Sequence, residues 1–170
     1  MTEQDSTAAT TNQTAFTEDD DSGAVAAIGR IVAFHLGGQR YGLPIDRINE
    51  IQQIVAFSDV PAGGSSVVGM VNLRGTVIPA IDLRLLIGLE PRVYTLETPM
   101  IITRTFGQTV ALIVDDVQDV LEMPEGCLQT APQMHALSSK MIGVCRMDDG
   151  LIYLLDVDRL LGADMLGGGR

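Results

Sequence analysis

The residues able to do chemistry in this chain are few, and their spacing narrows what they can do. Five acids, Asp115, Asp116, Asp119, Glu122 and Glu125, crowd together. They lack the alternating acids and following glycine of a calcium loop, and read as a solvated acidic face. Two carboxylates held at a fixed separation suffice for acid–base hydrolysis, so a small barrel hydrolase is kept as an alternative. His135 lies between Cys127 and Cys145, the only two cysteines. Neither CxxC nor HxxxH spacing occurs, so no metal site is assigned. The two cysteines read as buried thiols in plain packing roles, in a reducing compartment such as a bacterial cytosol. GxSxG, GxxxxGK[ST] and GxGxxG are all absent, and Gly63-Gly64 lacks the lysine that would hold phosphates. No catalytic residue, no cofactor and no enzymatic activity are therefore expected.

One constellation does ask for explanation. Asn72-Leu73-Arg74-Gly75 sits between two apolar runs, where a hairpin tip would ordinarily be Asn-Gly or Asp-Gly. Here a long arginine projects instead. Its planar fork suits a carboxylate held bidentately, and Glu50 is the candidate partner. The bland alternative is an exposed ion pair worth about 0–1 kcal/mol.

The elements that position these residues come in duplicate. GGQRYGLPIDRINEI at Gly37–Ile51 returns as FGQTVALIVDDVQDV at Phe106–Val120, displaced by 69 positions. VGMVNLRGTVIPAIDLRLLIG at Val68–Gly88 returns as IGVCRMDDGLIYLLDVDRLLG at Ile142–Gly162, displaced by 74. The five extra residues fall in a longer connection, Pro124–Ser139. Ile31–Leu36 and Tyr41–Ile45 form one expected hairpin, with a slip of phase at Asp46-Arg47 that implies a bulge or short turn. Val67–Leu73 and Thr76–Leu83 form another, and Phe57–Ser66 reads as a loop. Pro79 cannot donate to a ladder, which marks its strand as an edge or a bulge. Asp82 and Asp156 each cap a short helical turn closed by Gly88 or Gly162. Short strands at regular spacing, with helical periodicity nearly absent, give an all-β fold of two barrel-like units. The seam between like units is a natural binding place, for another protein or for a small molecule.

At 170 residues, each repeat of about sixty is marginal alone, so the two are expected to depend on each other. Residues 1–27 hold six acids and no Lys or Arg, leaving the body 16 acids against 11 bases. That leader reads as a disordered acidic tail without the features of a signal peptide. The acidic balance argues against nucleic acid and anionic membrane surfaces as partners. No apolar run approaches a membrane span.

The run GMVNLRGTVIPAIDLRLLIG, with YGLPIDRINEI before it and VDDVQDVLEMP after it, resembles the chemotaxis coupling protein family, CheW. NLRG followed by VIPxxDLR is the specific part, and the resemblance covers about residues 28–162. It implies two packed five-stranded SH3-like barrels around a hydrophobic centre, here 28–93 and 94–166. It implies an adaptor, cytoplasmic and monomeric in isolation, that joins chemoreceptor tips to a CheA-type histidine kinase within receptor arrays. The kinase would be held through its regulatory domain of the same fold. Carried over by motif, Glu50 and Arg74 match the family's paired acid and arginine, beside Asn72 and Gly75. Ile48, Gly69, Val117 and Val120 fall at its partner surfaces. For Ile48, Val117 and Val120, plain core is the competing reading.

Overall fold

A computed structural model of the chain describes residues 28–54, 57–59 and 66–166, with the side chains of 57–59 and 163–166 left aside. The expected acidic tail lies outside the described residues. The duplication is visible as two sheets of matching order. Seven strands come first in the chain, six from the first repeat and the last from the second: β1 (Arg30–Leu36), β2 (Gln39–Pro44), β3 (Ile48–Gln53), β4 (Phe57–Asp59), β5 (Val67–Leu73), β6 (Thr76–Asp82) and β7 (Pro99–Thr105). Five more follow: β8 (Gln108–Ile113), β9 (Asp116–Glu122), β10 (Leu128–Gln129), β11 (Met141–Met147) and β12 (Gly150–Leu155). Helices α1 (Leu83–Leu86) and α2 (Val157–Leu166) follow β6 and β12, and Gly162 interrupts α2 with non-helical backbone.

The first sheet runs β10-β11-β12-β2-β1-β9, and the second β4-β5-β6-β8-β7-β3. Each has five substantial strands and a short sixth at one edge. Read side by side, the two orders match strand for strand under the duplication. Each sheet nevertheless takes strands from both repeats. Hairpin β1–β2 joins the sheet built mainly from the second repeat, and hairpin β7–β8 joins the sheet of the first. The division at residue 93 therefore describes the duplication in sequence, while the strands group across it in space. The joints are the two parallel pairings, β12 with β2 and β6 with β8. Their registers obey both sequence displacements at once. Leu154 lies opposite Gly42, and its counterpart Ala80 lies opposite Ala111. The volumes compensate: a Cβ on Gly42 would come within 3.0 Å of Leu154 Cδ2, whereas the matched pair is two alanines.

Two local expectations are corrected. Phe57–Asp59 is a strand, not loop, because pairing with Val71–Gly69 overrides its composition. Pro79 sits in an interior strand, unbulged at that point. Its pairing with β8 begins only at Ala80, so the missing N–H breaks no ladder bond.

The main core fills the space between the sheets. Phe34, Leu36, Tyr41 and Leu43 meet Ile81, Ile101, Val110 and Leu112, and Leu83, Leu160 and Leu161 of the helices close over them. Smaller clusters pack the far faces, Val71, Ile78 and Met100 on one sheet and Ile31, Ile152 and Leu154 on the other. The centre of the seam is thus solid core. No helix among the described residues is long and apolar enough to cross a membrane.

Candidate functional site

The β5–β6 hairpin closes in two residues, Leu73 pairing with Thr76 across Arg74-Gly75. Both central residues have positive φ, 47° at Arg74 and 85° at Gly75. A turn with both φ positive matches the twist of the flanking strands, which is why Asn-Gly is its usual occupant. Gly75 meets that demand freely. Arg74 does so at a cost of about 1–2 kcal/mol, since its Cβ crowds the following carbonyl. Asn72 secures the turn, its Oδ1 accepting from the Gly75 amide at 2.9 Å.

Arg74 is held by Glu50, as its sequence context predicts. One guanidinium nitrogen, Nη2, donates to both carboxylate oxygens at 2.9 Å, so the contact is not the two-pronged fork expected. Gln52 Nε2 also donates to Glu50, at 3.1 Å. The arginine side chain is 72% exposed and the glutamate 25%. In the hydrogen-bonded order β3 is one edge of the sheet and β5 is next to the other, so this pair links opposite ends of the sheet by side chains.

The remaining sequence candidates separate into two kinds. Bulges place Asn49 in β3 and Gln118 in β9 outside their registers, at matching positions of the repeat. On one side of each bulge, Ile48 and Val117 turn inward and pack on the central core. On the other side, Ile51 and Val120 remain 42% and 44% exposed. Ile48 and Val117 thus pack as core, Val120 stays accessible, and Ile51 is an exposed apolar residue absent from the sequence candidates. Val77 and its counterpart Leu151 form a second duplicated exposed pair. Gly69 is buried in β5 between β4 and β6. A Cβ at its counterpart Gly143 would lie 2.5 Å from the Gln129 backbone oxygen, so close strand approach accounts for glycine in this repeat position.

The second copy lacks the Arg74–Glu50 arrangement, its counterparts Asp148 and Asp119 both being acids, and its turn carries a different ion pair. Asp149, at the β11–β12 turn, binds Arg40 of β2 through two parallel bonds of 2.6 and 2.7 Å. The hydrogen bond from Arg40 lowers the Asp149 pKa, and the same bond raises that of Arg40. Sign reversal appears where the chain crosses between sheets. After β8, Asp115 accepts from Arg84 of α1 at 2.5 Å and from the Gly37 amide at 2.9 Å, with only 8% of its side chain exposed. After β2, Arg47 donates to Asp158 of α2 at 2.8 Å. Arg84 and Asp158 hold the same repeat position with opposite charge. Aligning the repeats would have found the Arg84–Asp158 exchange, but not their partners, since Asp115 aligns with Asp46 and Arg47 with Asp116. Asp82 caps α1 as expected and also accepts from the Tyr94 hydroxyl. Burial first, then that bond, pushes the Tyr94 pKa far above its usual range.

The cysteines overturn their assignment as separate thiols. Cys127 and Cys145 are joined as a disulfide, Cα to Cα 5.0 Å. The two-residue strand β10 pairs Leu128 with Cys145 and so carries Cys127 to it, a proximity that an 18-residue separation does not announce. His135 serves the same connection, its ring 5.0 Å from that of Tyr153.

A CheW-like domain model matches residues 30–165. The chain belongs to the CheW-like family. It is 29% identical over 137 residues to the chemotaxis protein CheW of Klebsiella aerogenes, covering 77% of this chain and 80% of that one. It is 27% identical over 132 residues to the probable chemotaxis protein CheW of Rhizobium etli, covering 76% and 85%. Among solved structures it resembles the scaffolding protein TtCheW of Thermoanaerobacter tengcongensis, with a TM-score of 0.73 and 29% identity over 81% of this chain and 90% of that one. A CheW-like chain is a scaffold in chemotaxis signalling.

Proposed function

We propose that this CheW-like chain is a cytoplasmic, non-catalytic adaptor that couples chemoreceptor tips to the regulatory domain of a CheA-type histidine kinase. The observation that carries the reading is Arg74. A residue kept in a backbone conformation that disfavours it, exposed, and aimed by Glu50 is a surface held for something other than folding. Around it lie Asn72, Gly75 and the exposed Val77, and Ile51 follows Glu50 on β3. We assign this rim to partner binding, with Val120 marking the corresponding place on the other sheet. Rigid β-branched side chains around a fixed cation suit the docking of a preformed helix or a like-folded domain. Ile48, Val117 and Gly69 act beneath the surface, holding its shape. The protein is monomeric alone and enters receptor arrays through these contacts.

Reconstitution tests the reading. Kinase and receptor signalling particles are assembled with and without the chain, and autophosphorylation is followed. Receptor-dependent kinase activity should rise only when the chain is present; activity indifferent to it would refute the assignment.

A further inference from the structure

We propose that Cys127 and Cys145 are a reversible thiol–disulfide site that fixes or frees the edge of the first sheet. The oxidant is a low-molecular-weight disulfide and the reductant a dithiol. The Cα separation of 5.0 Å lies inside the range a disulfide spans without moving backbone. Cys145 is fully buried in β11, while Cys127 precedes β10 and is half-buried. Cys127 is therefore the sulfur that an external reagent reaches first.

The architecture does not require the bridge. β4, the counterpart of β10, edges its own sheet, and the connection that carries it contains no cysteine. Without the bridge, β10 is held by two paired residues, Leu128 with Cys145 and Gln129 with Val144, and by the half-buried Leu128 side chain against the Ile31, Ile152 and Leu154 cluster. Further along, the connection is held by Ala131 and Leu137 on the central core and by His135 against Tyr153. Those contacts leave the β10 end weakest, and there the disulfide acts. Opening it exposes the outer edge of β11, a row of backbone groups otherwise covered.

The exchange balances. The Cys127 thiolate attacks the external disulfide, forming a mixed disulfide and expelling one thiolate. The Cys145 thiolate then attacks the Cys127 sulfur, forming the protein bridge and expelling the second thiolate. Two protein thiols lose two protons and two electrons, and the external disulfide gains the electrons. A dithiol reverses both steps. The resting state rests on the cytoplasmic reading above, because a thiol-buffered compartment keeps the pair reduced until challenged. The chemistry does not depend on that reading.

The test uses the full chain, equilibrated across a series of reduced and oxidised glutathione. Samples are quenched with a maleimide and weighed intact, with amide hydrogen exchange measured in parallel. Two maleimide additions should disappear together within the series and return with dithiothreitol. Oxidation should slow exchange at residues 127–145 by roughly 10- to 100-fold, and leave β7 and β8 unchanged. Two additions surviving the most oxidising sample would overturn the proposal. So would a bridge that persists in the most reducing one, which would make it a permanent staple, or oxidation without local protection. A Cys127→Ser/Cys145→Ala chain should match the reduced protein's exchange pattern throughout. Failure of fully reduced protein to couple kinase and receptor would count against the adaptor role and not against this site.

Discussion

Replacing Arg74 by Asn should separate stability from function. The substitution removes an ion pair whose arginine is 72% exposed, so the loss is discounted for solvent screening to about 0–1 kcal/mol. It also places Asn at φ 47°, a conformation that asparagine tolerates, and relieves a strain of about 1–2 kcal/mol. The two effects oppose each other, and the net change should lie between neutral and about 2 kcal/mol more stable. Urea titration reads this as an unchanged or higher midpoint at constant slope. Kinase coupling in the reconstituted particle should meanwhile weaken about 10-fold or more, as for an interface anchor. A variant that loses more than about 1 kcal/mol would show that Arg74 supports the fold. A variant that couples as well as the parent would remove the tip from the site altogether. Glu50→Gln is the companion. It leaves the strained arginine unaimed, so its coupling defect should track that of Arg74→Asn while its stability does not rise.

Phe106, at φ 47° in the β7–β8 turn and more than half exposed, holds the repeat position of Gly37; Phe106→Asn should stabilise by about 1 kcal/mol in the same titration. Gly143→Ala drives a Cβ to 2.5 Å from the Gln129 carbonyl and should cost about 2 kcal/mol or more, seen as a lower melting temperature with early loss of β10 protection. Arg47→Asp alone sets like charges beside Asp158, whereas Arg47→Asp with Asp158→Arg restores a pair of the polarity found at Arg84–Asp115. The double variant should recover at least half of a loss of about 1 kcal/mol. Asp149 has its pKa depressed by Arg40, so its contribution is present above the unfolded aspartate pKa near 4 and is lost as pH falls through the lower folded value. Asp149→Asn should flatten that acid limb in a pH series of urea midpoints. Tyr94 is the opposite case: its raised pKa gives a contribution fully present below the unfolded value near 10 and lost as pH rises toward the folded value, because the unfolded phenol releases its proton first. Tyr94→Phe should therefore flatten the alkaline limb in the same pH series.

What was legible in the sequence and what was not follow from the same duplication. A repeat displaced by 69 and then 74 residues specifies like units, and those displacements reappear as the registers Gly42–Leu154 and Ala111–Ala80. It cannot say which unit each hairpin joins, since either copy of a duplicated hairpin fits either copy of its partner strands. That choice is made at two crossovers, where the phase slip noticed at Asp46-Arg47 resolves into a 3-10 turn over Ile45–Arg47 and a bulge at Asn49. The ion pairs Arg47–Asp158 and Arg84–Asp115 stand at those two places with reversed polarity. Had both kept one polarity, either helix could have met either crossover; opposite charges make the wrong meeting repulsive, acid on acid or base on base. The two tips also carry opposite charge, Arg74 on one and Asp149 on the other, through ion pairs at different repeat positions, so the halves are alike in backbone but opposed in charge. Duplication supplied a symmetric body, and divergence at a handful of charged positions made its two ends distinguishable to partners. A symmetric body would bind any partner in two orientations; the proposed placing of a receptor on one side and a kinase on another needs that distinction.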